Sequence, residues 1–341
     1  MNRFFKYILL ILCFLVKDIT SVSAQDIQLS QNYAAPLYLN PAFTGFNVCA
    51  RVSSTVRNQW PGLPNGYVSE LVAFDHYFQN QNIGAGVLFT NDVAGAGRLR
   101  STSFSALVAY EAIITRKFGL RFGLQAGGGT RSINFNSLIF GDQIARGGGI
   151  PTIENPTQKQ AFVDFSTGLL AFGKNYWAGI SVHHLNQPDE SLLGGNILDG
   201  SQAILPRKFS LQGGYKFLVS GEEDEPKSSH YLLPTIMYKA QAKFDQFDIG
   251  LYYLHSKITL GIWYRGIPGL KAYKEGYPNN DALVFLLGMK QDRISIGYSY
   301  DFTISWLKGN TEGAHELTAS YQFCKLKKRK KKPILVACPK F

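Results

Sequence analysis

RISIGYSYDF, residues 293–302, sets Ile294, Ile296, Tyr298, Tyr300 and Phe302 on one parity and Arg293, Ser295, Gly297, Ser299 and Asp301 on the other. Successive side chains of a strand point to opposite faces, so this decamer has one oily and one wet surface. A soluble sandwich and a membrane barrel both produce that pattern. The rest of the chain decides between them.

The alternation recurs along the body. Phe118, Leu120, Phe122, Leu124 and Ala126 alternate with Gly119, Arg121, Gly123, Gln125 and Gly127. Phe209, Leu211, Tyr215 and Phe217 share a parity, as do Ile258, Leu260, Ile262 and Tyr264. Period two over about ten residues matches a tilted strand crossing a membrane. The pattern divides into about fourteen strands, centred near residues 53, 72, 87, 105, 123, 167, 179, 212, 235, 249, 261, 286, 298 and 319, and single-chain bacterial barrels have an even number.

The connections sort by length. QNQN (79–82), GKN (173–175), HSK (255–257) and QDR (291–293) are tight, whereas 131–161, 185–205, 266–280 and 303–313 are long. Short turns on one side and long loops on the other mark an outer-membrane barrel, and an even strand count then puts both mature ends in the periplasm. SGEEDEPKSS (220–229), long where a turn is due, and 240–243, short where a loop is due, suggest a misplaced boundary. HELTASYQF (315–323) carries Leu317, Ala319, Tyr321 and Phe323 on one face and ends aromatic, as a closing strand at a girdle does. The expected fold is therefore an all-β, transmembrane antiparallel barrel. In it the apolar parity of 293–302 faces lipid, and Arg293, Ser295 and Asp301 face the lumen.

The ends of the chain agree with export. Arg3 and Lys6, the apolar run Tyr7–Val16 and the small-residue site Val22-Ser23-Ala24 make a signal peptide, leaving Gln25 as the mature start. The run stops at Lys17 and Asp18, short of the roughly 20 residues of a spanning helix. No later window approaches one either, so membrane residence requires a closed barrel. The expected organisation is signal peptide 1–24, periplasmic N-terminal segment 25–48, barrel 49–324 and basic periplasmic tail 325–341. Of the formal charge of +11, the leader contributes two and the tail eight with no acid, so the body is nearly neutral. A basic tail can bind nucleic acid in a cytoplasmic protein, but behind a signal peptide that partner is excluded.

Several segments together resemble the PorP/SprF family of the type IX secretion system and its gliding machinery. They are QNYAAPLYLNPAFTG (31–45), VRNQWPGLP (56–64), NDVAGAG (91–97), AHELTASYQF (314–323) and the terminal CPKF (338–341). The resemblance spans the mature chain. It implies a barrel working beside the secretion machinery, either as a core component associated with periplasmic partners, including a peptidoglycan-binding protein, or as a helper for secretion and surface display of one large adhesin. The competing reading is a passive channel for small or hydrophobic molecules. An Asn-Pro-Ala element occurs in the hatch of channels resembling the long-chain fatty acid transporter, although no long apolar hatch is evident here.

Candidate sites follow. Asn40-Pro41-Ala42-Phe43 precedes the first strand, and Pro41 fixes its own backbone and keeps Asn40 extended, so the segment is either a stiff latch in or under the lumen or an ordinary turn. Arg57, Gln59 and Trp60 fall where the first strand reaches the outer rim, either as interfacial girdle or, with Pro61 and Pro64, as a docking surface. Cys49 and Cys324 flank the closing seam, so a disulfide from Cys49 to Cys324, or to the mobile Cys338, competes with free thiols. In the tail, Lys327, Lys328, Arg329, Lys330, Lys331 and Lys332 precede Ile334, Leu335, Val336 and Ala337. A basic run with an apolar end suits docking on an acidic groove by strand addition, or serves only to keep the end soluble.

Catalysis is not expected. His183 and His184 are adjacent and so face opposite sides of a strand, no G-x-S-x-G elbow is present, and His315-Glu316 lacks the second His of a zinc helix. No cofactor or metal is implied.

Overall fold

The computed structural model describes residues 26–47, 49–63, 65–95, 97–134, 138–139, 141–147, 159–192, 203–222, 228–274 and 277–323, with the backbone alone for 268–274, 277 and 278. The leader and the tail, including Cys324, Cys338, Lys327–Lys332, Ile334 and Val336, lie outside the described residues.

The strands are β1 (Ala50–Gln59), β2 (Tyr67–Phe78), β3 (Ile83–Ala94), β4 (Leu99–Thr115), β5 (Phe118–Ser132), β6 (Lys159–Gly173), β7 (Tyr176–His183), β8 (Lys208–Tyr215), β9 (Phe217–Ser220), β10 (His230–Gln241), β11 (Phe244–His255), β12 (Ile258–Lys274), β13 (Tyr277–Gln291), β14 (Ile294–Thr303) and β15 (Ala314–Phe323). β9 continues β8 past Lys216 and pairs with the same neighbour, β10, so the two make one crossing. The result is a closed antiparallel barrel of fourteen strands. All fourteen expected centres fall within them.

Closure is explicit. β1 pairs with β15 from Ala50 opposite Phe323 to Gln59 opposite Ala314, and β10 pairs with both β8 and β11. Every crossing thus has two neighbours, which removes the unpaired edges that an open sheet would expose.

The parity of residues 294–302 is as expected. Ile294, Ile296, Tyr298 and Phe302 are exposed, whereas Ser295, Ser299 and Asp301 are buried. The outer belt continues through Val72, Phe104, Val108, Phe122, Leu124, Ile180, Leu211, Ile249, Leu260, Phe285 and Leu317. An apolar surface encircling a molecule is not stable in water but is what a bilayer requires. Tyr298→Arg, at mid-strand on this face, is expected to cost about 2–4 kcal/mol when folding into bilayers is measured, whereas Ser101→Arg, directed into an inner cavity near a rim, costs about 1 kcal/mol or less. Equal costs would mean the parity is inverted.

Some expectations need correction. Arg293 is exposed in the turn before β14 instead of facing the lumen, because the strand begins one residue later. The span 266–280 is not a long loop, since β12 and β13 carry the ladder on to Lys274 and Tyr277. The two connections that broke the length rule are real, with bounds shifted by one or two residues. Residues 221–229 do join β9 to β10 on the side where β1 begins, and 242–243 join β10 to β11 on the other. The rim where β1 begins and β15 ends is called proximal below, and the opposite rim distal.

Candidate functional site

The lumen is filled by the chain's own N-terminal segment. Asp26 accepts from Lys208 and from Gln241 Nε2 (3.3 Å) and lies 2.9 Å from His184 Nε2, residues at the distal ends of β8, β10 and β7. Gly45 N, nineteen positions later in the sequence, donates to Asp75 Oδ2 (3.0 Å) near the proximal end of β2. Between these points the segment runs the length of the barrel. Residues 25–48 were expected in the periplasm and both mature ends at one rim. Instead Asp26 sits at the distal rim and Phe323 at the proximal one. Counting strands fixes where β1 starts, but a segment this long can return through the lumen, and its apolar side chains favour doing so.

Local chemistry shapes the segment. Pro36 starts one helical turn, Pro36–Leu39, and Asn40 then turns extended (φ −160°, ψ 124°), as a residue before proline must. The Asn40 side chain accepts from Ala42 N (2.8 Å) and caps the 3₁₀ turn Pro41–Phe43. Its amide also donates to Ile180 O (3.0 Å) and Leu169 O (3.3 Å), tying the turn to β7 and β6. Asn40, Pro41, Ala42 and Phe43 thus lie buried inside the lumen. Tyr33, Leu39, Ala42, Phe43 and Phe46 pack against inward Leu170, Phe172, Trp177, Tyr252 and Trp263, and Leu29, Ala35 and Leu37 pack against Leu71, Ala73, Leu88 and Leu107.

Two buried charge networks hold its backbone. Distally, the Glu316 carboxylate accepts from Ser30 N (2.7 Å), Gln31 N (2.9 Å) and Arg57 (3.2 Å). Asp301 accepts from Ser30 Oγ (2.7 Å), Arg57 (2.8 Å) and Arg265 (3.0 Å). Proximally, Arg121 donates to Ala42 O (3.0 Å), to Thr44 O and to Glu111 (2.7 Å), and Arg51 pairs with Asp75 (3.0 Å) beneath Gly45. Buried ions of this kind are tolerable only when fully paired and hydrogen-bonded. Here the pairing partners include the inserted segment itself.

Arg57 is therefore not a rim docking residue, being 2% exposed within the distal network. It lies on the inward parity of β1 a turn below the rim, which its place near the strand's end disguises. Gln59 accepts from Arg57 (3.3 Å), and Trp60, half-buried, packs edge-on to Tyr67 (5.5 Å between centroids). Glu316, Asp301, Arg265, Arg121 and Asp75 were missed as site residues. Their signal was charge on the lipid-averse parity of spanning strands, where an ion needs a partner.

The histidines have structural duties. His183 is buried 3.4 Å from Leu39 O, and His184 lies between Asp26 (2.9 Å) and Asp164 (3.1 Å). Burial of His184 opposes its charge, but Asp26 and Asp164 outweigh that and raise its pKa from 6.5 to about 9. Burial likewise works against the Asp26 carboxylate, yet His184 and Lys208 hold it well below its usual range. With the folded His184 pKa above the unfolded one, its contribution is complete below about pH 6.5 and is lost as pH rises through about 9. Amide exchange at Ile27–Leu29, corrected for the intrinsic rate, should therefore rise between about pH 8 and 10 in the wild type and be high and flat in His184→Gln. Pronounced pH dependence in the variant would assign the effect elsewhere. Among the described residues no three His, Cys, Asp or Glu side chains converge as a metal site.

At the seam Cys49 is disulfide-bonded, and its partner is outside the described residues. Because Ala50 opposes Phe323, peptide mapping without reduction should find Cys49 joined to Cys324 and Cys338 open to alkylation. A Cys49–Cys338 peptide would contradict this.

The model of the family described as type IX secretion system membrane protein PorP/SprF matches residues 21–321. The chain belongs to the PorP/SprF family. It is thus a membrane component of type IX secretion with an outer-membrane barrel fold. Among solved structures this PorP/SprF barrel is similar to a Pseudomonas aeruginosa FadL homologue (11% identity, 84% of this chain and 93% of that one, TM-score 0.42). It is also similar to the Pseudomonas putida toluene transporter TodX (10%, 88% and 95%, TM-score 0.45) and to Haemophilus ducreyi BamA lacking three POTRA domains (8%, 81% and 71%, TM-score 0.40). No curated protein matches it by sequence.

Proposed function

We propose that this PorP/SprF protein is a sealed, non-enzymatic outer-membrane platform of type IX secretion, which supports secretion or surface display of client proteins by docking periplasmic partners. One observation carries the reading: the lumen is occupied along its length by residues 26–45, bonded to the wall through buried charges at both ends. A plug anchored at both ends opposes free diffusion along the lumen, so solute passage would require its displacement. The proximal rim is then the periplasmic one, and the basic tail, leaving β15 there, is the connection to partners such as a peptidoglycan-binding protein. A large secreted adhesin is the kind of client such a platform would serve.

The test is recovery of partners from native membranes. Full-length protein should bring down periplasmic secretion components, and deletion of residues 325–341 should leave a closed barrel, since Phe323 already completes the seam with Ala50, while reducing that recovery. Undiminished recovery would make the tail a solvated end. Solute flux with no partners recovered would favour the passive-channel reading.

A further inference from the structure

Residues 26–28 and Tyr38 of the plug border a cavity of about 440 Å³ in the distal half of the lumen, within the roughly 300–1,000 Å³ of ligand pockets. Its wall is unusual in composition. Inward positions of β4 carry a ladder of hydroxyls, Ser101, Ser103 and Ser105, alternating with outward Thr102, Phe104 and Ala106. Thr90 Oγ1 lies 2.6 Å from Ser103 Oγ, Ser69 Oγ donates to Asp92, and Gln125 Nε2 donates to Ser105 Oγ (3.2 Å). The rings of Tyr38, Trp60, Tyr67 and Phe162 also line it, beside aliphatic Ile27, Leu88 and Leu99.

Most charges around the cavity are paired, Asp92, which accepts from Ser69 Oγ, being the exception. Asp26 is held by Lys208 and His184, Asp164 by His184, and Glu190 by Arg131. An anionic ligand would meet Asp92 or have to break one of these pairs. Apart from Asp92, what remains unspent is neutral: hydroxyls able to donate and accept, and Gln125 Oε1, buried without a hydrogen-bond partner. Beside the ladder Gly127 and Gly129 of β5 let Ser105 and Phe162 pack against bare backbone, since a Cβ would lie 2.3 Å from Ser105 Oγ at Gly127 and 2.6 Å from the Phe162 ring at Gly129. Hydroxyl and amide groups sharing one cavity with aromatic rings are the complement of a pyranose ring, whose rim is hydroxylated and whose C–H faces are apolar.

We propose that this cavity binds a neutral sugar unit, with the β4 hydroxyl ladder and Gln125 meeting its hydroxyls and Trp60 and Tyr67 stacking at the mouth. The proposal is independent of partner docking at the proximal rim. The test is calorimetric titration of the full-length barrel in detergent with a panel of neutral oligosaccharides including maltotriose and chitotriose, the same glycans carried on lipid, and an oligoglucuronate as charged control. Saturable binding of a neutral glycan, free or lipid-borne, is expected, at least about tenfold weaker in Trp60→Ala and in Gln125→Met, the size of one lost stacking face or hydrogen bond to a buried group. Ser103→Val should act in the same direction, and heat-modifiable migration identifies the variants that remain closed barrels. Response to the lipid-borne form alone would assign a glycolipid source, and response to both a free glycan. Absence of saturable binding to every neutral glycan, preference for the oligoglucuronate, or undiminished binding in all closed variants would overturn the proposal.

Discussion

Glu316→Ala should destabilise the barrel by about 3–5 kcal/mol, the cost of removing one partner from a buried, hydrogen-bonded ion cluster. Three donors lose their acceptor at once: Ser30 N, Gln31 N and one arm of Arg57. Glu316 is fully buried, so water does not replace the carboxylate without opening the lumen. Asp301 remains as counter-ion for Arg57 and Arg265, which limits the damage to the distal half of the plug. Urea unfolding in lipid should show the lower midpoint, and Glu316→Gln, which keeps the acceptor oxygen, should recover part of the loss. A change below about 1 kcal/mol, the range of exposed pairs, would mean the cluster is hydrated.

Gly123→Leu should force the plug out while leaving the barrel closed. A Cβ at Gly123 would sit 2.3 Å from both Ala42 N and Pro41 C. Those are backbone atoms held by Arg121 and by the Asn40 cap, and they cannot rotate aside. The wall makes the same allowance at Gly84, where a Cβ would lie 2.0 Å from Thr44 O, so the proximal plug rests against bare backbone. Overpacking costs roughly 1–3 kcal/mol or more, and here the strain is relieved by expelling residues 40–45. The expected readouts are protease cleavage within 26–47 and unchanged heat-modifiable migration. Adding Gly123→Leu to a chain already lacking 26–47 should change nothing further, since the two alterations act on one contact. Cleavage resistance equal to wild type would mean the segment does not approach the wall.

The barrel was legible because lipid imposes a period. Residues 294–302 could be oriented from the sequence since every second side chain is apolar, and the aromatic end at Phe323 marked the seam that Ala50 closes. The plug was not legible in the same way. Alternation says which side chains point inward but not what they meet, and 25–48 has no period of its own. Asn40-Pro41 announced a stiff turn, yet its place depended on Leu169 O and Ile180 O, far away in the chain. Arg57 illustrates the remaining gap. Its nearness to the strand end suggested a rim residue, while its inward parity, with that of Arg121, Arg265, Asp301 and Glu316, already implied buried partners that only the folded arrangement pairs.

The most direct measurement of whether this barrel is a sealed platform is the conductance of purified full-length protein in planar bilayers, beside a chain lacking residues 26–47. The intact protein should stay closed at moderate voltage, and the deletion should give steady open channels if its barrel remains closed on a gel. Steady conductance from the intact barrel, indistinguishable from that of the deletion, would contradict the account.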